Sequence, residues 1–249
     1  LSPFKYKIPN REKEMDENSI QKKVIVPSMN REIVTYEYGK SDKKILLVHG
    51  WSGSGTQLSK IAKALLEKGY MCLSFDAPAH GKAAGKMSMM PFFIEAIHYL
   101  EDNHGPFEAI IGHSLGGMSS LRAIRNGLNT NKLVIIGTAN NISEITRHFA
   151  ENMKMNHKVA RKMKAYLDDR FNEDMDVLSG GESAKYVKTP TLVIHDEEDV
   201  DVNVKSAYEI HEELENSELM ITSGLGHRRI LGNEKVINKI TTFIAAQSL

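Results

Sequence analysis

The chain has one cysteine, Cys72, one tryptophan, Trp51, and 7 prolines among 249 residues. A single cysteine excludes an internal disulfide and any cysteine-built metal site. Cys72 lies in the apolar run Met71-Cys72-Leu73 and reads as a small buried hydrophobe rather than a redox group. Apolar runs are short, and none approaches the roughly 20 residues of a membrane span. An excess of charge is missing too: 32 basic residues balance 32 acidic ones, so net charge gives no reason to expect nucleic acid or an anionic membrane as partner. No histidines stand at the His-Glu-x-x-His spacing of a zinc site, so neither a metal nor an organic cofactor is expected. The opening residues, with Lys5, Lys7, Arg11, Glu12, Lys13 and Glu14, are too charged for a signal-peptide core, which favours a cytosolic protein. A start at Leu1 leaves an upstream targeting segment open, and the sequence is silent on oligomeric state.

What is present is rhythm. From Ile45 onward, short β-branched runs alternate with helical stripes. Strands are expected at 45–48, 71–75, 109–112, 133–136, 191–195 and 219–222. Helices are expected around 58–66, 93–100, from Leu115, 204–214 and 236–244. Such alternation predicts a mainly parallel sheet with helices on both faces. Two earlier runs, 23–26 and 32–38, predict an antiparallel pair at the sheet edge. Across 140–186 strands give way to two helical stripes, Ile142-Ile145-Phe149-Met153 and Val159-Met163-Tyr166-Leu167. The expectation is one domain over 1–249, about eight strands in the sheet, and a helical cap inserted at 140–186.

Gly112-His113-Ser114-Leu115-Gly116 carries the chemistry. Ser114 follows a strand and precedes a helix, the context in which a sharp turn lifts a hydroxyl above the sheet. Such a hydroxyl needs a base. Of ten histidines, His227 lies in Gly224-Leu225-Gly226-His227 between the last strand and the last helix, able to reach back over the sheet edge. His49, His80 and His195 stand at strand ends and line the site without acting as base, and His113 is expected to turn away. A carboxylate must orient the base and stabilise its charged form. The segment 195–202 offers Asp196, Glu197, Glu198, Asp199 and Asp201. Asp196 is too close to the sheet and Asp201 too far along; Asp199, between them, is the expected acid. Backbone N–H groups of Leu115 and Trp51 are the expected donors to an oxyanion.

These motifs together resemble the α/β-hydrolase family, particularly small esterase-like members with a helical cap. The resemblance spans roughly 45–249. It rests on the His-Gly loop at His49, the Asp76-Ala77-Pro78-Ala79-His80-Gly81 turn, the elbow at Ser114, the acidic turn at Asp199 and the Gly-x-Gly-His loop at His227. Two positions depart from the family's pattern, Ala79 and Asp196, both commonly glycine. The resemblance implies hydrolysis of a small-molecule carboxylic ester with a small or medium apolar acyl group, through an acyl-serine intermediate. Thioester, amide or carbon–carbon hydrolysis, cofactor-free peroxidation, and a small-molecule receptor with little turnover remain open alternatives. Methionines 87, 89, 90, 153, 155 and 163 are read either as an adaptable acyl pocket or as plain core filling.

Overall fold

Side chains that alternate along each strand face two separate cores, and this alternation builds the layers. On one side, Ile45, Leu47, Ile111, Val134 and Ile194 pack against Ile61 and Leu65 of one helix and Val236 and Ile240 of another. On the other, Leu46, Val48, Ile110, Ile135 and Val193 pack against Phe93, Ile97, Met118 and Ile210. The computed structural model describes residues 2–172 and 174–246. Eight strands make one sheet: β1 (Ile20–Val26), β2 (Arg31–Tyr38), β3 (Lys44–Val48), β4 (Met71–Asp76), β5 (Phe107–His113), β6 (Thr130–Ile136), β7 (Thr191–Asp196) and β8 (Ser217–Thr222). Helices among the described residues are α1 (Asn10–Asn18), α2 (Ser59–Glu67), α3 (Met90–His104), α4 (Leu115–Arg125), α5 (Ile142–Asn152), α6 (His157–Phe171), α7 (Gly180–Ala184), α8 (Lys205–Glu213), the single turn α9 (Gly226–Arg229) and α10 (Glu234–Ala245).

The spatial order is β1-β2-β4-β3-β5-β6-β7-β8. From β4 to β8 every pairing is parallel, while β1–β2 and β2–β4 are antiparallel, as the two early runs suggested. The chain leaves β3 toward β4 on one side and returns to β5 on the other. Open parallel sheets bind ligands at the carboxyl ends of their strands, at such a reversal. The loops after β3 and β5 therefore frame the place to look.

Helix α1 is not legible in the pattern. Its sequence, NREKEMDEN, carries one apolar residue, Met15, and no stripe. Tertiary contacts hold it instead: Met15 joins the core with Tyr38, Leu58 and Ile61, and the buried Glu12 accepts from Thr56 Oγ1 at 2.9 Å and Ser54 Oγ at 3.3 Å.

Candidate active site

Ser114 has φ 53 and ψ −119, a left-handed conformation outside the allowed regions of a residue with a side chain. Strain of this kind costs about 1–3 kcal/mol and persists only where the surroundings enforce it. Here the enforcement is steric. A Cβ on Gly112 would stand 2.5 Å from Gly117 N, and one on Gly116 would stand 2.3 Å from Val48 O. The turn closes because both positions lack one. Ser114 N donates to Ile136 O at 2.8 Å, tying the turn to β6. Leu115 then opens α4, and its N–H is one of the first four that a helix leaves without an internal partner.

His227 is the second residue of α9. Its Nδ1–H donates to Asp199 Oδ2 at 2.6 Å, which leaves Nε2 as the acceptor. Both side chains are nearly covered, 10 % exposed for His227 and 1 % for Asp199. The ring lies over Gly137, next to the Ile136 carbonyl that holds Ser114; a Cβ on Gly137 would come 3.1 Å from His227 Nδ1. Asp199 Oδ1 accepts from the Asp201 and Val202 N–H groups, both at 2.9 Å, and Oδ2 also lies 3.4 Å from His195 Nε2. Burial alone would raise its pKa. The ring nitrogens of His195 and His227 facing the carboxylate, together with the Val202 N–H, outweigh that and hold the carboxyl below the usual carboxylate range.

The two rival carboxylates do different things. Asp196 is buried and turned toward the sheet end. It accepts from Gly226 N at 2.8 Å, Leu225 N at 3.1 Å, Thr222 Oγ1 at 2.7 Å and Glu198 N at 3.0 Å. It thus ties the loop carrying His227 to the loop carrying Asp199, at a position where the resemblance expects glycine. Asp201 is exposed, although its carboxylate lies within 4.8 Å of ligand atoms on Asp199 and His227. These three form the one group with metal-ligand character among the described residues. Yet 2.6 Å between Nδ1 and Oδ2 is a direct hydrogen bond, too short for two ligands about 2 Å from a shared ion at tetrahedral angles.

The remaining histidines refine the expectation and correct it once. His113 does not turn away: its ring centroid is 4.6 Å from that of His227, and its Nε2–H donates to His227 O at 2.9 Å. The residue before the elbow serine therefore holds the backbone of the histidine. Burial, then the neighbouring His227, push the His113 ring down to about 3, so it stays neutral. His195 is buried with Nε2–H donating to Val202 O at 3.0 Å, which braces the acid turn from below. His49 and His80 each meet Phe93 edge to face, His80 also meets Trp51 edge to face, and the His49 and His80 centroids are 4.8 Å apart.

The loop after β3 touches the serine. A Cβ on Gly50 would stand 3.0 Å from Ser114 Cβ. The Gly50 carbonyl accepts from His49 Nδ1–H at 2.7 Å and from Gly53 N at 3.0 Å. In a trans peptide the carbonyl and the following N–H point in opposite directions, so the Trp51 N–H is aimed away from those partners. Asp76 fixes the far end of this loop by accepting from Gly55 N at 2.6 Å, and it also accepts from Tyr36 Oη and Lys82 N. Ala79, in the same turn, sits at φ 64, so the departure from glycine leaves a strained residue. The methionines divide. Met89 and Met90 are buried, Met87 and Met163 are partly covered, and Met153 and Met155 are exposed, so they form no single pocket.

A family model described as alpha/beta hydrolase fold matches residues 43–156, and one described as TAP-like protein matches 175–249. No curated protein matches the chain. Among solved structures, an esterase from Pyrococcus furiosus is 19 % identical with a TM-score of 0.75, covering 98 % of this chain and 96 % of its own. An esterase from Exiguobacterium antarcticum is 16 % identical with a TM-score of 0.72, covering 91 % and 100 %. A bromoperoxidase from Bacillus anthracis is 19 % identical with a TM-score of 0.68, covering 90 % and 99 %. At these identities the structures speak for the fold.

Proposed function

Since the chain belongs to the α/β-hydrolase family, we propose that it hydrolyses carboxylic esters of small or medium apolar acyl groups through an acyl-Ser114 intermediate. Ser114 Oγ attacks the carbonyl carbon while His227 Nε2 takes its proton. Asp199 keeps the imidazole in the tautomer with Nδ1 protonated and stabilises the imidazolium. Charge developing on the carbonyl oxygen is met by the Leu115 and Trp51 N–H groups. Collapse breaks the ester C–O bond, and His227 returns the proton to the leaving alcohol. A water then attacks the acyl-serine by the same relay and releases the acid.

One observation carries this reading: the 2.6 Å bond from His227 to a buried Asp199, beside the strained turn at Ser114. Helices α5 and α6 are proposed as a cap over this edge of the sheet. His148 Nε2 and Asn152 Nδ2 of α5 reach the carbonyl of Val200, the residue after Asp199. Turnover of aryl esters across a series of acyl lengths tests the reading. Steady turnover with a short- or medium-chain optimum is expected. A single burst of alcohol followed by no turnover would instead mark a receptor.

A further inference from the structure

The balance of 32 basic and 32 acidic residues conceals an uneven distribution. Between Ile145 and Tyr166 six basic residues, Arg147, Lys154, Lys158, Arg161, Lys162 and Lys164, stand against one acidic residue, Glu151. This stretch is the middle of the α5–α6 hairpin, whose ends add Glu144, Asp168, Asp169 and Arg170. Lys164 is neutralised by Asp168 at 2.7 Å and Asp174 at 2.5 Å, and Arg147 lies 3.6 Å from Glu144. Lys154, Lys158, Arg161 and Lys162 are exposed and form no ion pair among the described residues. Lys158, Arg161 and Lys162 stand three and four apart on α6, so they share one face.

Apolar groups protrude among these charges. Every residue from 151 to 158 is exposed, and this run is the tip of the hairpin. Met153 is 55 % exposed and Met155 42 %, on either side of Lys154, whose left-handed backbone (φ 53) turns the tip. Phe149 is 46 % exposed one turn before. Between the two helices a cavity of about 450 Å³ opens, with Arg147, His157 and Arg161 in its lining.

We propose that this hairpin docks the protein on an anionic phospholipid bilayer, with Met153 and Met155 entering the acyl boundary and the α6 cations meeting lipid phosphates. Mixed apolar and cationic groups on one projecting element are the features of an interfacial anchor. A second copy meeting it hairpin to hairpin would set like charges against each other. A nucleic acid would satisfy the cations but give the methionines nothing to enter. Docking differs from spanning: no helix among the described residues is long and apolar enough to cross a membrane. The bonds from His148 and Asn152 to Val200 link the docked element to the loop of Asp199.

Co-sedimentation with vesicles tests this directly. Vesicles of phosphatidylcholine with about one-third phosphatidylglycerol should bind at least about tenfold more tightly than phosphatidylcholine alone, and salt should weaken the binding. The triple variant Lys158→Gln, Arg161→Gln, Lys162→Gln should lose about tenfold or more of that affinity while its turnover of a soluble aryl ester is unchanged. The pair Met153→Ser, Met155→Ser should lose the binding that survives high salt. Ser114→Ala should bind vesicles like the parent chain, which separates docking from the proposed chemistry. Equal partition onto both vesicle types would overturn the proposal, as would binding unaffected by the triple variant. Charge-dependent binding of single-stranded RNA without vesicle binding would also overturn it, in favour of a nucleic acid, and a concentration-dependent dimer through the hairpin in favour of a second copy.

Discussion

The loops at the carboxyl edge of the sheet and the hairpin between β6 and β7 are built on opposite plans. At the sheet edge, many polar groups are buried and hydrogen-bonded, although His195 Nδ1 and His80 Nε2 have no protein partner among the described residues. Asp199, Asp196, His113 and His195 together accept or donate bonds that fix two loops to within hydrogen-bond tolerance. In the hairpin, α5 and α6 keep few buried residues among those described, Ile142, Thr146, Ala150 and Ala160, and the tip has none. Buried, hydrogen-bonded networks favour one geometry, whereas sparse burial leaves an element adaptable. On the proposed function, a rigid centre beside an adaptable cap would let one chemistry accept a range of substrates.

Removing the proposed nucleophile should break the rigid side hardest. Ser114→Ala should lower kcat by about 10⁶-fold, to background, with the fold retained. The three carboxylates should then separate by what each holds. Asp199→Asn keeps the shape but removes the charge facing His227, and kcat should fall about 10²–10⁴-fold with KM little changed. Asp196→Asn places an amide NH₂ against backbone donors of the His227 loop, at a cost of about 10–100-fold through misplacement of the base. Asp201→Asn, acting through the local field from an exposed position, should cost about tenfold at most. Parallel kcat measurements on the three variants check the order; a larger loss at Asp201 than at Asp199 would reassign the acid.

Acid should expose the same contrast in stability. Burial lowers the His49 ring well below its ordinary value, His80 to about 4 and His113 to about 3. Each is neutral when folded but takes up a proton when unfolded below about pH 6.5. Their contribution is therefore complete above that pH and is lost as pH falls toward the folded values. Each such proton costs about 1.4 kcal/mol per pH unit. Thermal melts from pH 7.5 to 4.5 should show a steep fall in Tm, and replacing His80 by Gln should flatten it. The smallest effect belongs to the adaptable side. Met163→Ala should move the acyl-length optimum by no more than about tenfold in kcat/KM, leaving kcat for the preferred ester nearly unchanged.

The sheet and its layers were legible in the sequence because their signals are local. Strand runs with alternating faces and helical stripes state their own period, and each of the six core strands lies where its run stands, extended by one to three residues. Ser114 and His227, the proposed nucleophile and base, stand out in the sequence for the same reason, through Gly-x-Ser-x-Gly and Gly-x-Gly-His in strand context. Asp199 was chosen among five carboxylates by position in the loop, and the geometry brings it to His227. Partners made in space were not legible. Nothing local tells that His113 would grip the His227 carbonyl 114 residues away, or that Asp196 would bind Gly226. Helix α1 escaped notice because Glu12 and Met15 are buried by tertiary contacts that no stripe announces. The methionine pattern misled in part, because Met153 and Met155 lie on the exposed turn of a hairpin rather than in a pocket.

The central claim is that Ser114, activated by His227 and Asp199, is the nucleophile, and covalent labelling tests it without assuming a substrate. A fluorophosphonate should modify the protein at a ratio of one and map by peptide mass to Ser114. Labelling should slow in Asp199→Asn and vanish in Ser114→Ala. Stoichiometric modification of any other residue, or undiminished labelling of Ser114→Ala, would contradict the account.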